Sequence, residues 1–226
     1  MSVEKGKPWE RPAAGPADVT VEGDDVALAA AVERHPGARI AFVPSHTSDF
    51  ARVVGLTRAG AASASGAGTK ELPCDALRVE FDGRELLAVN MMIFGVPPDE
   101  QRWSSGSPHA RVLIDTRVVH DGAALAVVVA SGQFLRGNDI VPRGHPGDGR
   151  AEVQVYSLTR GERGAMRERL PLGAHLPHPR IRTASGRRIE VEAIGSPRPL
   201  EVDGVVAGRA SEVAVTVVPA AFTLLV

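Results

Sequence analysis

The chain has 226 residues, 43% of them hydrophobic and 23% charged, with a formal net charge of −1. That length holds one large domain or two small ones, and the composition is that of an ordinary globular protein. The near-zero charge leaves no global field to draw the chain to nucleic acid or to anionic lipid, so no nucleic-acid partner is expected. A single cysteine, Cys74, excludes an internal disulfide framework and fits a reducing, cytoplasmic setting. The longest apolar run, 123–130, is far short of the about 20 residues that span a bilayer, so at most peripheral membrane contact is expected. The first ten residues carry no apolar run, and no signal peptide is expected there.

Residues 1–17, with Pro8, Pro12, Pro16, Gly6 and Gly15, read as a flexible lead-in. A strand is predicted over 18–22. Asp24 or Asp25 then caps a helix over 26–34, which ends at His35-Pro36-Gly37. A second strand over 39–43 stops at Pro44, and a short helix runs from Ser48 or Asp49 to Val54 and ends at Gly55. This alternation predicts a parallel α/β unit over 18–60. The Ala-, Gly- and Ser-rich stretch that follows predicts a linker, placed at 61–71. From Leu72 on, the pattern becomes short strands. The segments 76–81 and 85–94 flank an Asp82-Gly83 turn, and 111–119 leads to a second turn at His120-Asp121-Gly122. Further strands are predicted at 125–130, 152–156, 187–193, 200–202, 212–218 and 222–226, with one short helix within 160–172. The expected fold class is α+β in two domains: a small, truncated α/β domain with a parallel sheet, and a larger antiparallel β-sandwich over 72–226. The last strand is free to return to the first domain.

Several segments carry chemistry or its remains. The pair Asp148-Gly149 reads as a turn or as a magnesium ligand, since one carboxylate holds Mg²⁺ only together with several waters. His175 and His178, three apart among prolines, supply too few ligands to close a zinc site. Gly23-Asp24 opens a helix, and Pro44-Ser-His-Thr47-Ser-Asp49-Phe-Ala-Arg52 opens the next. Glu201-Val202-Asp203-Gly204-Val205 forms a turn near the C-terminus.

Together with 127–155 and the stretch around His175-Leu-Pro-His178-Pro179, these segments resemble the diacylglycerol kinase and sphingosine kinase family of lipid kinases, over about 190 residues. Gly132, Gly137 and Pro142 match that family's glycine-rich segment, whereas Ser131, Arg136 and Asn138 depart from it. The resemblance implies a nucleotide site at Gly23, Asp24, Thr47 and Asp49, magnesium held through Asp148, ATP and Mg²⁺ as cofactors, and a lipid ligand. It also implies a glutamate, as general base, at the position that Val205 occupies. An isopropyl group accepts no proton, and such base help contributes about 10²–10⁴-fold. Glu22 and Asp25 replace two glycines of the family's phosphate turn, and Val26 replaces its threonine. A carboxylate beside a triphosphate costs about 1 kcal/mol in water at 4 Å and more where solvent is excluded. His46 stands where the family has glycine. The family also carries about one more βαβ unit ahead of this turn, so a homodimer or partner subunit is expected over the uncovered sheet.

The expectation is a lipid-kinase homologue with weak or no phosphoryl transfer and no confident catalytic residue. An active ATP-dependent lipid kinase is the first alternative, and a non-catalytic assembly subunit the second.

Overall fold

The computed structural model describes residues 8–57, 69–100 and 108–226. Among these the chain forms, in order, β1 (Arg11–Pro12), β2 (Val19–Gly23), α1 (Asp25–Arg34), β3 (Arg39–Pro44), α2 (Asp49–Val53), β4 (Lys70–Phe81), β5 (Arg84–Ala88), β6 (Met91–Gly95), β7 (His109–Ile114), β8 (Arg117–Ala123), β9 (Ala126–Ala130), β10 (Phe134–Leu135), β11 (Asn138–Asp139), β12 (Ala151–Tyr156), α3 (Glu162–Arg169), a 3-10 turn (Leu170–Leu172), β13 (Ile181–Gly186), β14 (Arg188–Ile194), β15 (Arg198–Val202), β16 (Val205–Ala210) and β17 (Glu212–Leu225). The protein is mostly β-sheet with few helices. Of the predicted linker, 61–68 lies outside the described residues, while Lys70 and Glu71 belong to β4.

Two sheets stack face to face over 72–226. One runs β13-β12-β9-β6-β15-β16, all antiparallel. The other follows β1-β4-β17-β14-β7-β8, with β5 added beside β4. Period-2 alternation explains the stacking. Leu77, Val79, Val112, Val191 and Val215 from one sheet and Phe94, Val127, Val129, Val153 and Leu200 from the other meet in a single buried cluster. The six-stranded sheet is also covered on its outer face. Met91, Ile93, Val128 and Tyr156 pack there against Ile140, Met166 and Leu170. Burial on both faces is why β9 reads as the unbroken run Ala-Val-Val-Val-Ala.

The end of β17 pairs in parallel with β3, and β3 with β2, so these strands join the larger sheet. The α1 helix covers them through a separate cluster of Leu28, Val32, Ile40, Phe42, Phe50, Phe222 and Leu224.

Several segments differ from the sequence reading: Arg11–Pro12 of the lead-in pairs with β4; β13 and β16 are further strands; and three other segments are rearranged. The second hairpin turns at Asp115-Thr116, both in the left-handed region (φ 46° and 73°), and His120-Asp121-Gly122 lies inside β8. The predicted strands 212–218 and 222–226 are one 14-residue strand. Pro219, Ala220 and Ala221 form a bulge opposite Asp75, which accepts a hydrogen bond from the Ala220 N–H (2.8 Å) and so holds that bulge in the sheet. The segment 85–94 is two strands, because the chain leaves one sheet at Ala88 and enters the other at Met91. Val89 and Asn90 are the crossing, and the candidate site is built on them.

Candidate functional site

The turn between β15 and β16 is Asp203-Gly204, with φ of 46° and 79°. Two successive positive φ values define a type I′ hairpin turn, and Asp-Gly is a natural pair for it. The Asp203 carboxylate faces inward. It accepts from three consecutive backbone N–H groups, Val89 (2.8 Å), Asn90 (3.0 Å) and Met91 (2.9 Å). The hairpin is thereby docked on the inter-sheet crossing. Burial, then the nearby charge of Asp25, pushes its pKa up to about 7, against the opposing pull of those three donors.

Asp25 is the first residue of α1 and is buried. It accepts from the Ser48 hydroxyl (2.6 Å), the Phe50 N–H (3.0 Å) and the Asn90 side-chain amide (3.3 Å). One carboxylate thus ties α1, the N-cap of α2 and the crossing together. Burial raises its pKa to about 6, against the lowering effect of Ser48 and Phe50. Asn90 completes the connection by donating to the Phe134 carbonyl (2.9 Å). The sequence marks Asp25 as a charged misfit and Asp203 as part of a turn. Neither pattern reveals that the two meet across Asn90.

An open cleft of about 570 Å³ lies over this connection. Asp24, Thr47, Asp49 and Val205 line it, with His46, Arg52 and Arg136. Three of the predicted nucleotide residues therefore come together with Val205, although each is engaged locally. Asp24 caps α1 by accepting from the Ala27 N–H (3.1 Å), and Thr47 shares a hydrogen bond with Ser45 (2.8 Å). Gly23 ends β2 with φ 140°, and its carbonyl accepts from the Ser45 N–H (2.6 Å); it is not among the residues that line the cleft.

Asp49 accepts from the N–H groups of Arg136 and Gly137 (2.9 Å for Gly137). Those two residues also turn with positive φ, 48° and 78°. Successive N–H groups in such a turn form an anion-binding concavity, and here a carboxylate of the protein fills it. Arg52 donates to the Gly137 carbonyl (3.0 Å) and lies over the Phe134 ring at 4.4 Å. The Arg136 guanidinium grips Asp99 with two hydrogen bonds (2.7 and 2.8 Å) and Glu201 with a third (2.7 Å). Those carboxylates, Asp99 first, hold the Arg136 pKa above its usual range. Burial raises that of Glu201, which Arg136 opposes.

Arg136 is therefore committed to protein carboxylates and Arg52 spends one N–H on a carbonyl, while four aspartates, 24, 25, 49 and 203, line the cleft. This donor set does not fit a polyphosphate. Val205 is 53% exposed at the cleft wall. Glu201 is nearly buried on β15 opposite Val206, and its carboxylate is held by Arg136. Asp148 lies apart from the cleft. It accepts from the Arg150 N–H (2.9 Å), closing a local turn, beside Gly149, whose N–H donates to buried Asp75. Among the described residues, no cluster of three or more His, Cys, Asp or Glu side chains is placed to hold a metal ion, and no helix is long and apolar enough to cross a membrane. His175 is buried under the outer face of the six-stranded sheet, against the Tyr156 ring, and burial lowers its pKa.

Comparison with known proteins gives three findings. A family model, the YegS C-terminal NAD kinase beta sandwich-like domain, matches residues 102–226. A crystal structure of a diacylglycerol kinase from Bacillus anthracis strain Sterne superposes with a TM-score of 0.73 at 18% identity, covering 92% of this chain and 75% of that one. A second structure from the same organism gives 0.72 at 17% identity, covering 92% and 77%. No curated protein matches significantly.

Proposed function

The chain belongs to the family of YegS C-terminal NAD kinase beta sandwich-like domains, and from that premise we propose that it is a lipid-kinase-like protein in which phosphoryl transfer is weak or absent. The observation that carries this reading is Val205, a half-exposed isopropyl group at the cleft wall, beside the Asp203-Gly204 turn. Transfer to a lipid hydroxyl needs a group that takes the hydroxyl proton, and donors that offset the charge of the moving phosphoryl group. The proton acceptor is missing at 205. Glu201 is no substitute while Arg136 holds it. The donors are spent as well, since Asp49 fills the 136–137 turn, and Asp99 and Glu201 fill the guanidinium.

What the protein keeps is the connection between the two halves. The α1–α2 unit over 18–60 acts as a nucleotide-binding-like domain, docked on the sandwich over 72–226 through Asp25, Asn90 and Asp203. A shared cluster, which joins Leu28, Phe42 and Phe50 to Leu72, Cys74 and Phe222, packs the two together. The cleft between them serves to bind a lipid, without turnover. Among the described strands β2 bonds only to β3, and a second subunit over its free edge belongs to the same reading. Light scattering that gives a monomer near 23.7 kDa would count against that subunit.

Thermal unfolding with and without Mg-ATP tests the cleft. A ligand at 100 times its Kd stabilises the native state by about 2.7 kcal/mol. The reading expects no shift with millimolar Mg-ATP. A large shift that Asp49→Asn changes would show a working nucleotide site.

A further inference from the structure

A second concavity, sharing no residue with the cleft, lies on the outer face of the six-stranded sheet. Its volume is about 230 Å³, room for about eight waters or one small organic molecule. The floor is β12 and β13. Ala151, Val153 and Val155 point into the sandwich core, so Glu152 and Gln154 point the other way. Thr183, directly opposite Gln154 in the register, stands beside them. Val141, Pro142, Leu176 and Pro177 give it an apolar lining.

Three polar groups in this pocket lack direct partners. Gln154 is 3% exposed, and its carbonyl oxygen accepts from the Tyr156 hydroxyl. In that orientation the amide nitrogen has no hydrogen-bond partner among the described residues, and the side chain lines the pocket. Glu152 and Arg143 also line it, and neither is in an ion pair among the described residues. Burial raises the Glu152 pKa, as does Asp148, whereas Arg143 and Arg150 oppose the rise from the neighbouring loop. An amide donor at the pocket surface, an unpaired carboxylate and an unpaired guanidinium around an apolar slot are complementary to one kind of molecule.

We propose that this pocket binds a small zwitterion, with its ammonium group at Glu152 and its carboxylate shared by the Gln154 amide and Arg143. Glu152 and Gln154 are two residues apart on the strand, about 6.6 Å, which suits an amino acid whose charged groups are separated by a short methylene chain. The pocket stands independently of the kinase-like reading of the cleft.

The test is an NMR titration of the whole chain with 4-aminobutanoate, with butylamine and butanoate as half-molecules. The expected result is a saturable shift of the Gln154 side-chain amide and of Thr183, weaker for either half. In Glu152→Gln, which keeps the side chain's shape, the dissociation constant for 4-aminobutanoate should rise about tenfold or more, as for loss of a charged hydrogen bond. Butanoate binding should not change. An unshifted Gln154 amide, a shift of equal affinity in Glu152→Gln, or shifts confined to residues 24–49 would each overturn the proposal. An amide spectrum of the variant that keeps its dispersion shows that it is folded.

Discussion

Replacing Asp25 by asparagine separates the electrostatics of the inter-domain connection from its shape. The substituted amide can still accept from Ser48 and from the Phe50 N–H, and it carries no charge. In the native protein the Asp25 pKa is raised from 3.8 to about 6. An acid raised in the folded state keeps a proton that the unfolded chain has released. Its contribution to stability is therefore complete below about pH 4 and is lost as the pH rises through about 6. At about 1.36 kcal/mol per pH unit, the loss is about 3 kcal/mol. Urea unfolding of both proteins from pH 4 to pH 8, with slopes checked for constancy, gives the stability difference directly. That difference, wild type minus variant, should fall by about 2 kcal/mol between pH 4 and pH 6 and level off above about pH 7. Titrating groups that do not face Asp25, such as the buried His175, are common to both proteins and cancel. Asp203 should also titrate lower in the variant, because the Asp25 charge helps to raise it. A difference that is flat with pH, or that grows as pH rises, would refute the account of Asp25 as a buried acid held by Ser48, Phe50 and Asn90.

Arg136→Met should destabilise by about 1–3 kcal/mol by stranding Glu201 and Asp99. The value is set below that for a fully buried pair because the Arg136 side chain is 39% exposed. Adding Glu201→Gln should recover part of that loss, giving a coupling of at least about 0.5 kcal/mol in a urea-unfolding double-mutant cycle. Gly144→Ala should cost about 2 kcal/mol or more and lower the melting temperature, since its Cβ would fall 1.8 Å from the Gly132 carbonyl oxygen, which is backbone and cannot yield. Gly164→Ala, inside α3 with nothing within 4 Å of the added carbon, should instead raise stability by about 0.5–1 kcal/mol.

Much of the architecture was legible because local rules and the global fold agree. The α1 cap at Asp24, the Asp82-Gly83 turn and the alternating strands 76–81 and 152–156 follow from cap chemistry, turn geometry and period-2 patterning. The failures came where long-range contacts overrule a local signal. Pro219-Ala220 reads as a break, but a buried aspartate 145 residues away keeps the strand whole. Asp121-Gly122 reads as a hairpin turn, but the strand register puts the turn at Asp115-Thr116. The same limit applies to the site. Asp24, Thr47, Asp49 and Val205 could be found by motif and spacing, and they share one cleft. Asn90 lies in no motif, and its role comes from standing where the chain changes sheets, between two carboxylates 178 positions apart. Arg136 departs from a glycine pattern, and nothing local reveals that Asp99 and Glu201 would bind it.

The central claim is that the cleft lacks a proton acceptor at position 205 and has most of its anion donors tied to the protein's own carboxylates. The most direct measurement is transfer of radiolabelled phosphate from Mg-ATP to diacylglycerol, sphingosine and ceramide in mixed micelles, by the wild-type chain and by Asp24→Ala. The account predicts that both give the rate seen without protein. Labelled lipid formed by the wild type and lost in Asp24→Ala would contradict it.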